Sequence, residues 1–222
     1  MNVNPIIFCD FDGTITESDN IIMIMEKFAS AEANEIKNAI LNEELSIQEG
    51  VKQLFSLLPS SLKDEIISYV LENAKIREGF GEFISFTQKH DIPLYIVSGG
   101  IDFFLHPVLE PYGPFENIFC NHAEFSGEKI NIVYPHSCDD LCSSQGCGCC
   151  KPSIIRSLSD QDMETIVIGD SITDLQAAKL ANHVFARDFL IKKCEQYDIP
   201  YQSFHNFYDI INKLEEMIEV KI

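Results

Sequence analysis

Residues 5–14 read PIIFCDFDGT, and this stretch decides the fold. The apolar run is short, begins at a proline and ends at Asp10, and the Asp12-Gly13 pair that follows is typical of a turn. An uninterrupted apolar run of this length predicts a fully buried strand, because a half-exposed strand would alternate in polarity. The chain therefore begins with a buried strand that ends in two carboxylates.

Similar apolar runs recur along the chain, separated by helical patterns. They lie at residues 93–97, 165–168 and 184–186. Strands that alternate with helices predict a parallel sheet covered on both faces, which is a doubly wound α/β fold. Residues 123–125 and 129–134 flank a Ser-Gly turn and predict a small β-hairpin excursion from that sheet.

The segment 16–78 interrupts the alternation because it reads as several helices without a strand. Ser46 and Glu49, for example, have the spacing of a capping box ahead of an apolar helical face. We therefore predict a small helical cap over 16–78, inserted into an α/β core made of 1–15 and 79–222.

The composition is strongly acidic. There are 16 Lys and Arg residues against 35 Asp and Glu residues, which gives a formal net charge of −19. Such a surface repels nucleic acid and anionic lipid, so we expect neither as a partner. No signal-peptide pattern or membrane-length apolar run is visible, and we expect a cytoplasmic protein. Any phosphate site must then supply its own positive charge. Oligomeric state is left open.

Polar residues follow three of the predicted strands. Asp10 and Asp12 follow the first, Ser98-Gly99-Gly100 the second, and the stretch 170–174, with an acid at each end, the third. Lys151 stands just before a proline at a predicted helix start, where a phosphate is also stabilised. Carboxylate oxygens are ligands that Mg²⁺ prefers. An acid, a metal ion and a lysine at one site are the groups that phosphoryl transfer requires for positioning and charge neutralisation. Each piece alone could be an ordinary turn or surface residue; their combination favours chemistry.

These four motifs, in this order, resemble those of the haloacid dehalogenase superfamily of phosphatases. The resemblance implies that Asp10 is the nucleophile and Asp12 the general acid and base. It implies a Mg²⁺ ion held by Asp10, by the backbone carbonyl of Asp12, and by Asp170. The further residues that the resemblance implies are phosphate-binding Thr14, Ser98, Gly99 and Lys151, with Asp174 in a supporting role.

A narrower resemblance, to the methionine-salvage branch of these phosphatases, lies in residues 57–63, 135–138 and 147–153. It implies that the substrate is a small methylthio keto-phosphate, hydrolysed through an aspartyl-phosphate. A phosphoserine phosphatase is the nearest alternative, with Glu17 as partner for the substrate ammonium and Arg77 for its carboxylate. A phosphomutase and a non-catalytic module that binds a metal or a partner are further alternatives.

A cysteine-rich segment precedes Lys151. Five of the eight cysteines fall within residues 138–150. In a reducing compartment such a cluster indicates metal ligands or reduced, packed thiols rather than disulfides. The spacing is irregular for a zinc site, so both interpretations stay open. The candidate zinc ligands are Cys138, Cys142, Cys147, Cys149 and Cys150.

Overall fold

Seven strands form one sheet in the computed structural model, which describes residues 4–115 and 117–219. The spatial order is β4-β3-β2-β1-β5-β6-β7, and every neighbouring pair is parallel except β3 and β4. The first strand therefore lies in the middle of the sheet. The strands are β1 Asn4–Cys9, β2 Leu94–Ile101, β3 Ile118–Glu124, β4 Asn131–Val133, β5 Met163–Gly169, β6 His183–Ala186 and β7 Gln202–Ser203.

Helices cover both faces of the sheet. In the described residues they are α1 Asn20–Phe28, α2 Glu32–Leu41, α3 Ile47–Ser56, α4 Lys63–Asn73, α5 Phe80–Lys89, α6 Asp102–Leu109, α7 Lys151–Leu158, α8 Leu175–Ala178, α9 Asp188–Gln196 and α10 Phe207–Glu219. Short 3₁₀ turns at Ser60–Leu62, Glu110–Tyr112 and Ile172–Asp174 accompany them.

The central strand shows why the fold is doubly wound. Ile7 belongs to a core with α5 and α10, whereas its neighbour Phe8 belongs to a separate core with Ile154 and Ile155 of α7. Successive strand side chains point to opposite faces, so an uninterrupted apolar run needs a helical layer on each side. The predicted doubly wound α/β fold is confirmed.

The predicted hairpin is present as the antiparallel pair of β3 and β4, and both strands also belong to the main sheet. β3 begins at Ile118 and pairs in parallel with β2 before its last residues turn back against β4. The sequence pattern placed the first hairpin strand at residues 123–125, after Asn121. In the structure Asn121 is buried, and its amide donates to the carbonyl of Gly99, so a polar residue is accommodated inside the strand.

The helices α1–α4 lie between β1 and α5 in the chain. The two segments that join them to the core run side by side: Thr16 pairs with Ile76 in antiparallel fashion, and the Arg77 N–H donates to the carbonyl of Ile15 at 2.8 Å. The capping box predicted from Ser46 and Glu49 is present at the start of α3. The four helices therefore leave and rejoin the core at one place.

Among the described residues, none of the helices combines the length and apolar character that crossing a membrane requires.

Candidate active site

Three neighbouring strands bring two of the predicted acids and Ser98 together. β1 ends just before Asp10 and β5 just before Asp170, while Ser98 lies within β2. Because β2, β1 and β5 are adjacent and parallel, these residues meet at one edge of the sheet. Carboxylate oxygens of Asp10, Asp170 and Asp174 all lie within 4.8 Å of one another.

The loop after β1 is held tightly against this edge. Gly13 has a φ of 78°, and a Cβ atom there would lie 2.3 Å from Oδ2 of Asp170, so only glycine fits. The buried Arg77 guanidinium donates to the carbonyls of Gly13 and Thr14, each at 2.7 Å. Arg77 therefore fixes the backbone of the loop, a role that the sequence did not indicate.

Lys151 is the cation of the site. It is the first residue of α7, and its Nζ atom lies 2.8 Å from Oδ1 of Asp10 and 2.5 Å from Oδ1 of Asp174. The other oxygen of Asp174 accepts from the backbone N–H groups of Asp170 and Ser171, at 3.2 and 3.1 Å. Asp174 thus joins the lysine to the loop that carries Asp170.

The electrostatics of these groups favour an added cation. Burial raises the pKa of Asp10 to about 7; Lys151 opposes that shift, and Asp174 adds to it. Burial, with repulsion from Asp10 and Asp174, raises the pKa of Asp170 to about 9. One ammonium does not neutralise three clustered carboxylates, so a divalent cation with a preference for oxygen ligands fits the donor set.

Asp12 has a different hydrogen-bond partner from Asp10. Its Oδ1 atom accepts from the side-chain amide of Asn20 at 2.6 Å and from the Asn20 backbone N–H at 3.0 Å. Burial, with repulsion from Asp19 and Asp10, raises the pKa of the Asp12 carboxyl well above its ordinary value. A carboxyl whose pKa is raised by burial keeps its proton to a higher pH than an exposed one, as a general acid requires. The sequence did not single out Asn20.

Ser98 and the glycines after it form one wall of the site. The Ser98 hydroxyl is fully buried and accepts from the backbone N–H of Gly100 at 2.9 Å, so its own proton is available for a ligand. Thr14, which we expected to contact phosphate, instead uses its hydroxyl to donate to Oδ1 of Asp170 at 3.2 Å.

A cavity of about 480 Å³ opens over these groups. Asp10, Asp12, Ser98 and Asp170 line one end of it. Helices α1–α3 supply most of the remaining lining, which is predominantly aliphatic. The apolar side chains from those helices are Ile21, Ile22, Met25, Ala33, Ile40, Leu41, Ile47, Val51 and Leu54.

The structure divides the five clustered cysteines into two groups. The sulfurs of Cys138, Cys142, Cys147 and Cys150 all lie within 4.8 Å of one another. Cys149 points away from them, towards the carbonyl of Phe119, and packs in the core beneath α7. The four-cysteine cluster lies directly before Lys151 in the chain.

Comparisons with known proteins show which family the chain resembles. A family model described as haloacid dehalogenase-like hydrolase matches residues 7–179. A 2-hydroxy-3-keto-5-methylthiopentenyl-1-phosphate phosphatase of Bacillus thuringiensis is 57% identical over 97% of this chain and 98% of its own. A protein of that name from Bacillus cereus is 58% identical, with the same coverage.

Solved structures match the fold at much lower identity. A substrate-bound phosphoserine phosphatase has a TM-score of 0.69 at 18% identity, and the match covers 96% of this chain and 99% of that one. A phospho-aspartyl intermediate analogue of phosphoserine phosphatase has a TM-score of 0.68 at 17% identity, with the same coverage. At such low identity, these two matches show a shared fold only.

Proposed function

This chain belongs to the haloacid dehalogenase-like hydrolase family, and from that premise we propose that it is a Mg²⁺-dependent phosphatase acting on 2-hydroxy-3-keto-5-methylthiopentenyl-1-phosphate. The observation that carries the proposal is the position of Asp10, which touches Lys151, borders two more acids and lines an apolar cavity. Relatives 57–58% identical over nearly their whole length bear the name of this activity, which supports the choice of substrate.

The chemical steps follow from the two acids of the first loop. An oxygen of Asp10 attacks phosphorus and forms a P–O bond, while the bond from phosphorus to the substrate oxygen breaks. Asp12 gives its proton to that leaving oxygen. Asp12, now ionised, then takes a proton from water as the water oxygen attacks the phosphorus of the aspartyl-phosphate. Inorganic phosphate leaves, and the Asp10 carboxylate is restored.

Positive and hydrogen-bonding groups hold the transferred phosphoryl group. Lys151 supplies the charge that the acidic surface lacks, and Ser98 supplies a hydroxyl proton. Gly99 lines the cavity beside Ser98, where its backbone can approach a phosphate closely. Asp174 orients Lys151, and Thr14 orients Asp170, rather than touching the phosphate themselves.

Phosphatases of this family generally depend on Mg²⁺, and the residues present suit that ion. Asp10 and Asp170 bring carboxylate oxygens together in a site where burial already raises their pKa values. In our proposal these two carboxylates and the backbone carbonyl of Asp12 hold Mg²⁺. The bound ion would offset the charge of the acids and polarise the phosphate oxygens.

The cavity walls favour a substrate with an apolar tail. Aliphatic residues of α1 and α3, among them Ile21, Met25 and Leu54, face the space above the acids. A methylthio chain would bury apolar surface there, at about 25 cal/mol per Å². We assign this role to a cap made of residues 16–78, which would close over the substrate and exclude water.

A phosphoserine phosphatase remains the second candidate, because charges of both signs also line the cavity. Glu26 and Lys37 could face an ammonium and a carboxylate. The residues considered from sequence are less suitable: Arg77 is committed to backbone carbonyls, and Glu17 does not line the cavity. The surrounding walls are aliphatic, so this candidate ranks below the keto-phosphate.

The deciding experiment is phosphate release with Mg²⁺, comparing kcat/KM for the two substrates. We expect the keto-phosphate to be preferred by several orders of magnitude. Met25→Ala should raise KM for the keto-phosphate more than for acetyl phosphate, which has no tail. Met217→Ala, which alters a partly buried methionine away from the cavity, is the control. Preference for phosphoserine would overturn the substrate and keep the mechanism.

A further inference from the structure

Four cysteine sulfurs gather outside the hydrophobic cores. Cys142 and Cys150 are buried, with 6% and 0% exposure, yet neither belongs to any of the hydrophobic clusters formed by the described residues. In contrast, Cys149 packs among apolar side chains. Core packing therefore explains Cys149 but leaves the burial of the other two without a reason.

The spacing of the sulfurs fits a metal better than a disulfide. The Cys142 and Cys147 sulfurs are 3.7 Å apart, and a disulfide requires about 2.05 Å. Four thiolates around zinc, each at about 2.3 Å, form a tetrahedron with edges of about 3.8 Å. All four sulfurs lie within 4.8 Å of one another, so small side-chain movements would bring them to the corners of that tetrahedron.

The backbone and neighbouring side chains are arranged around the sulfurs. Gln145, Gly146 and Gly148 have positive φ angles of 47°, 70° and 78°, which turn the chain so that Cys142 and Cys147 face each other. The Ser153 hydroxyl donates to the sulfur of Cys150 at 3.0 Å. Such donors stabilise thiolates and fix ligand orientation.

Hydrogen-bond donors and a positive charge near the sulfurs can offset the negative charge of thiolates. Backbone N–H groups of Ser144 and Gln145 donate towards Cys142, and the Arg156 guanidinium is close enough to interact with Cys142 and Cys150. The same guanidinium anchors the loop by its ion pair with Asp139. A tetrathiolate with a divalent ion has a net charge of about −2, which these groups would partly offset.

We propose that Cys138, Cys142, Cys147 and Cys150 bind one structural zinc ion, and that Cys149 is not a ligand. A closed set of four thiolates leaves no open position, so the ion has a structural rather than a catalytic role. This inference is independent of the substrate, because it concerns a second metal site distinct from the acids.

The site has a structural consequence for the phosphate end of the cavity. Cys150 directly precedes Lys151, so its ligation would fix the start of α7, from which the lysine reaches Asp10. The loop also contacts the cap: the carbonyl of Gly146 accepts from the Gln48 N–H at 3.1 Å. Zinc would therefore hold together the cysteine loop, the helix that carries Lys151 and the start of α3.

Metal analysis of untagged protein, purified without chelator, tests the proposal. We expect one zinc per chain, clear loss of zinc in Cys147→Ser, and retention in Cys147→His, which restores a ligand. Cys149→Ala is the matched control and should keep its zinc. Less than about 0.2 zinc per chain in the wild-type protein, iron in place of zinc, or equal loss from the control would overturn it.

A second measurement does not depend on the folding of variants. Wild-type protein stripped of zinc and given Co²⁺ should show the sulfur-to-cobalt charge-transfer and ligand-field bands of a tetrahedral tetrathiolate. Mg²⁺ in excess should leave those bands unchanged, because the acids form a separate site. A cobalt spectrum without thiolate bands, or a thiol titration of the denatured chain that finds disulfides in place of eight free cysteines, would contradict the zinc site.

Discussion

The Nζ atom of Lys151 lies 2.8 Å from Oδ1 of Asp10, in a site where both side chains are only 6% exposed. A buried lysine in contact with the proposed nucleophile serves two purposes. It lowers the pKa of the Asp10 carboxyl against the effect of burial, and in the proposed mechanism it places a positive charge beside the transferred phosphoryl group.

Replacing the lysine should reduce catalysis strongly. Lys151→Met removes the charge while keeping much of the side-chain volume, so kcat/KM for phosphate release should fall by about 10²–10³-fold. Lys192→Met, which alters an exposed lysine on α9, is the control and should leave turnover unchanged. A loss of less than about fivefold in Lys151→Met with saturating Mg²⁺ would contradict this role.

Binding of Mg²⁺ should strengthen as pH rises. In the metal-free protein the pKa of Asp10 is raised to about 7 and that of Asp170 to about 9. Acids with raised pKa values bind more protons in the folded state, so their contribution to stability is present at low pH and lost as pH rises through 7 and 9. A metal needs the ionised acids, so Mg²⁺ should increase Tm more at about pH 8 than at about pH 5.5.

Melting curves with and without Mg²⁺ at the two pH values provide the measurement. Asp170→Asn should remove most of the increase in Tm at the higher pH. Asp198→Asn, which alters an exposed acid, should behave like the wild-type protein. An effect of Mg²⁺ on Tm that is the same at both pH values would count against a site built from these carboxyls.

Asn20 should act through Asp12. Its amide lies 2.6 Å from Oδ1 of Asp12 and its N–H donates to the same oxygen, and both bonds lower the pKa of that carboxyl. Asn20→Ala should therefore raise the pKa of Asp12, shift the pH optimum upward and slow turnover about tenfold. The loss should be smaller with p-nitrophenyl phosphate, whose leaving group needs no proton.

The comparison variant for Asn20 is Asn73→Ala, because that amide donates to the carbonyl of Tyr69 within α4, a helix that does not line the cavity. Equal losses for substrates with good and poor leaving groups would show that Asn20 does not act through proton transfer.

Arg77 should matter for stability. Its guanidinium is 6% exposed and donates to the carbonyls of Gly13 and Thr14 in the loop after β1. Lysine cannot reproduce this fork of donors, so Arg77→Lys should lower the free energy of unfolding by about 2–3 kcal/mol. Arg187→Lys changes an arginine that pairs with the exposed Asp188 and donates to the carbonyl of His205. It should cost less than about 1 kcal/mol in denaturant titration. Equal costs for the two variants would contradict the assignment.

The central acids could be located from sequence because their position depends on topology alone. Asp10 and Asp170 each follow a short apolar run, and adjacent parallel strands must end at the same edge of the sheet. The unbroken apolar character of the first strand predicted that both of its faces are buried. The family and the fold were therefore predictable without knowledge of any side-chain contact.

The supporting residues depend on contacts that sequence spacing does not encode. Arg77 reaches the loop after β1 because the segments around Thr16 and Ile76, which leave and rejoin the core, run side by side. Asn20 meets Asp12 because α1 begins directly over the loop. Likewise, the separation of Cys149 from the four other cysteines follows from local φ angles, such as that of Gly148, rather than from their spacing.

The most direct test of the account is to trap the phosphorylated enzyme. Asp12→Asn should still let Asp10 attack p-nitrophenyl phosphate, whose leaving group needs no proton, but should slow the attack of water. We predict a burst of about one p-nitrophenolate per chain, then a stall, with phosphate found on Asp10 by mass spectrometry after acid quenching. The double variant that adds Asp10→Asn should give neither. Phosphate on another residue, or steady release by the double variant, would contradict nucleophilic catalysis by Asp10.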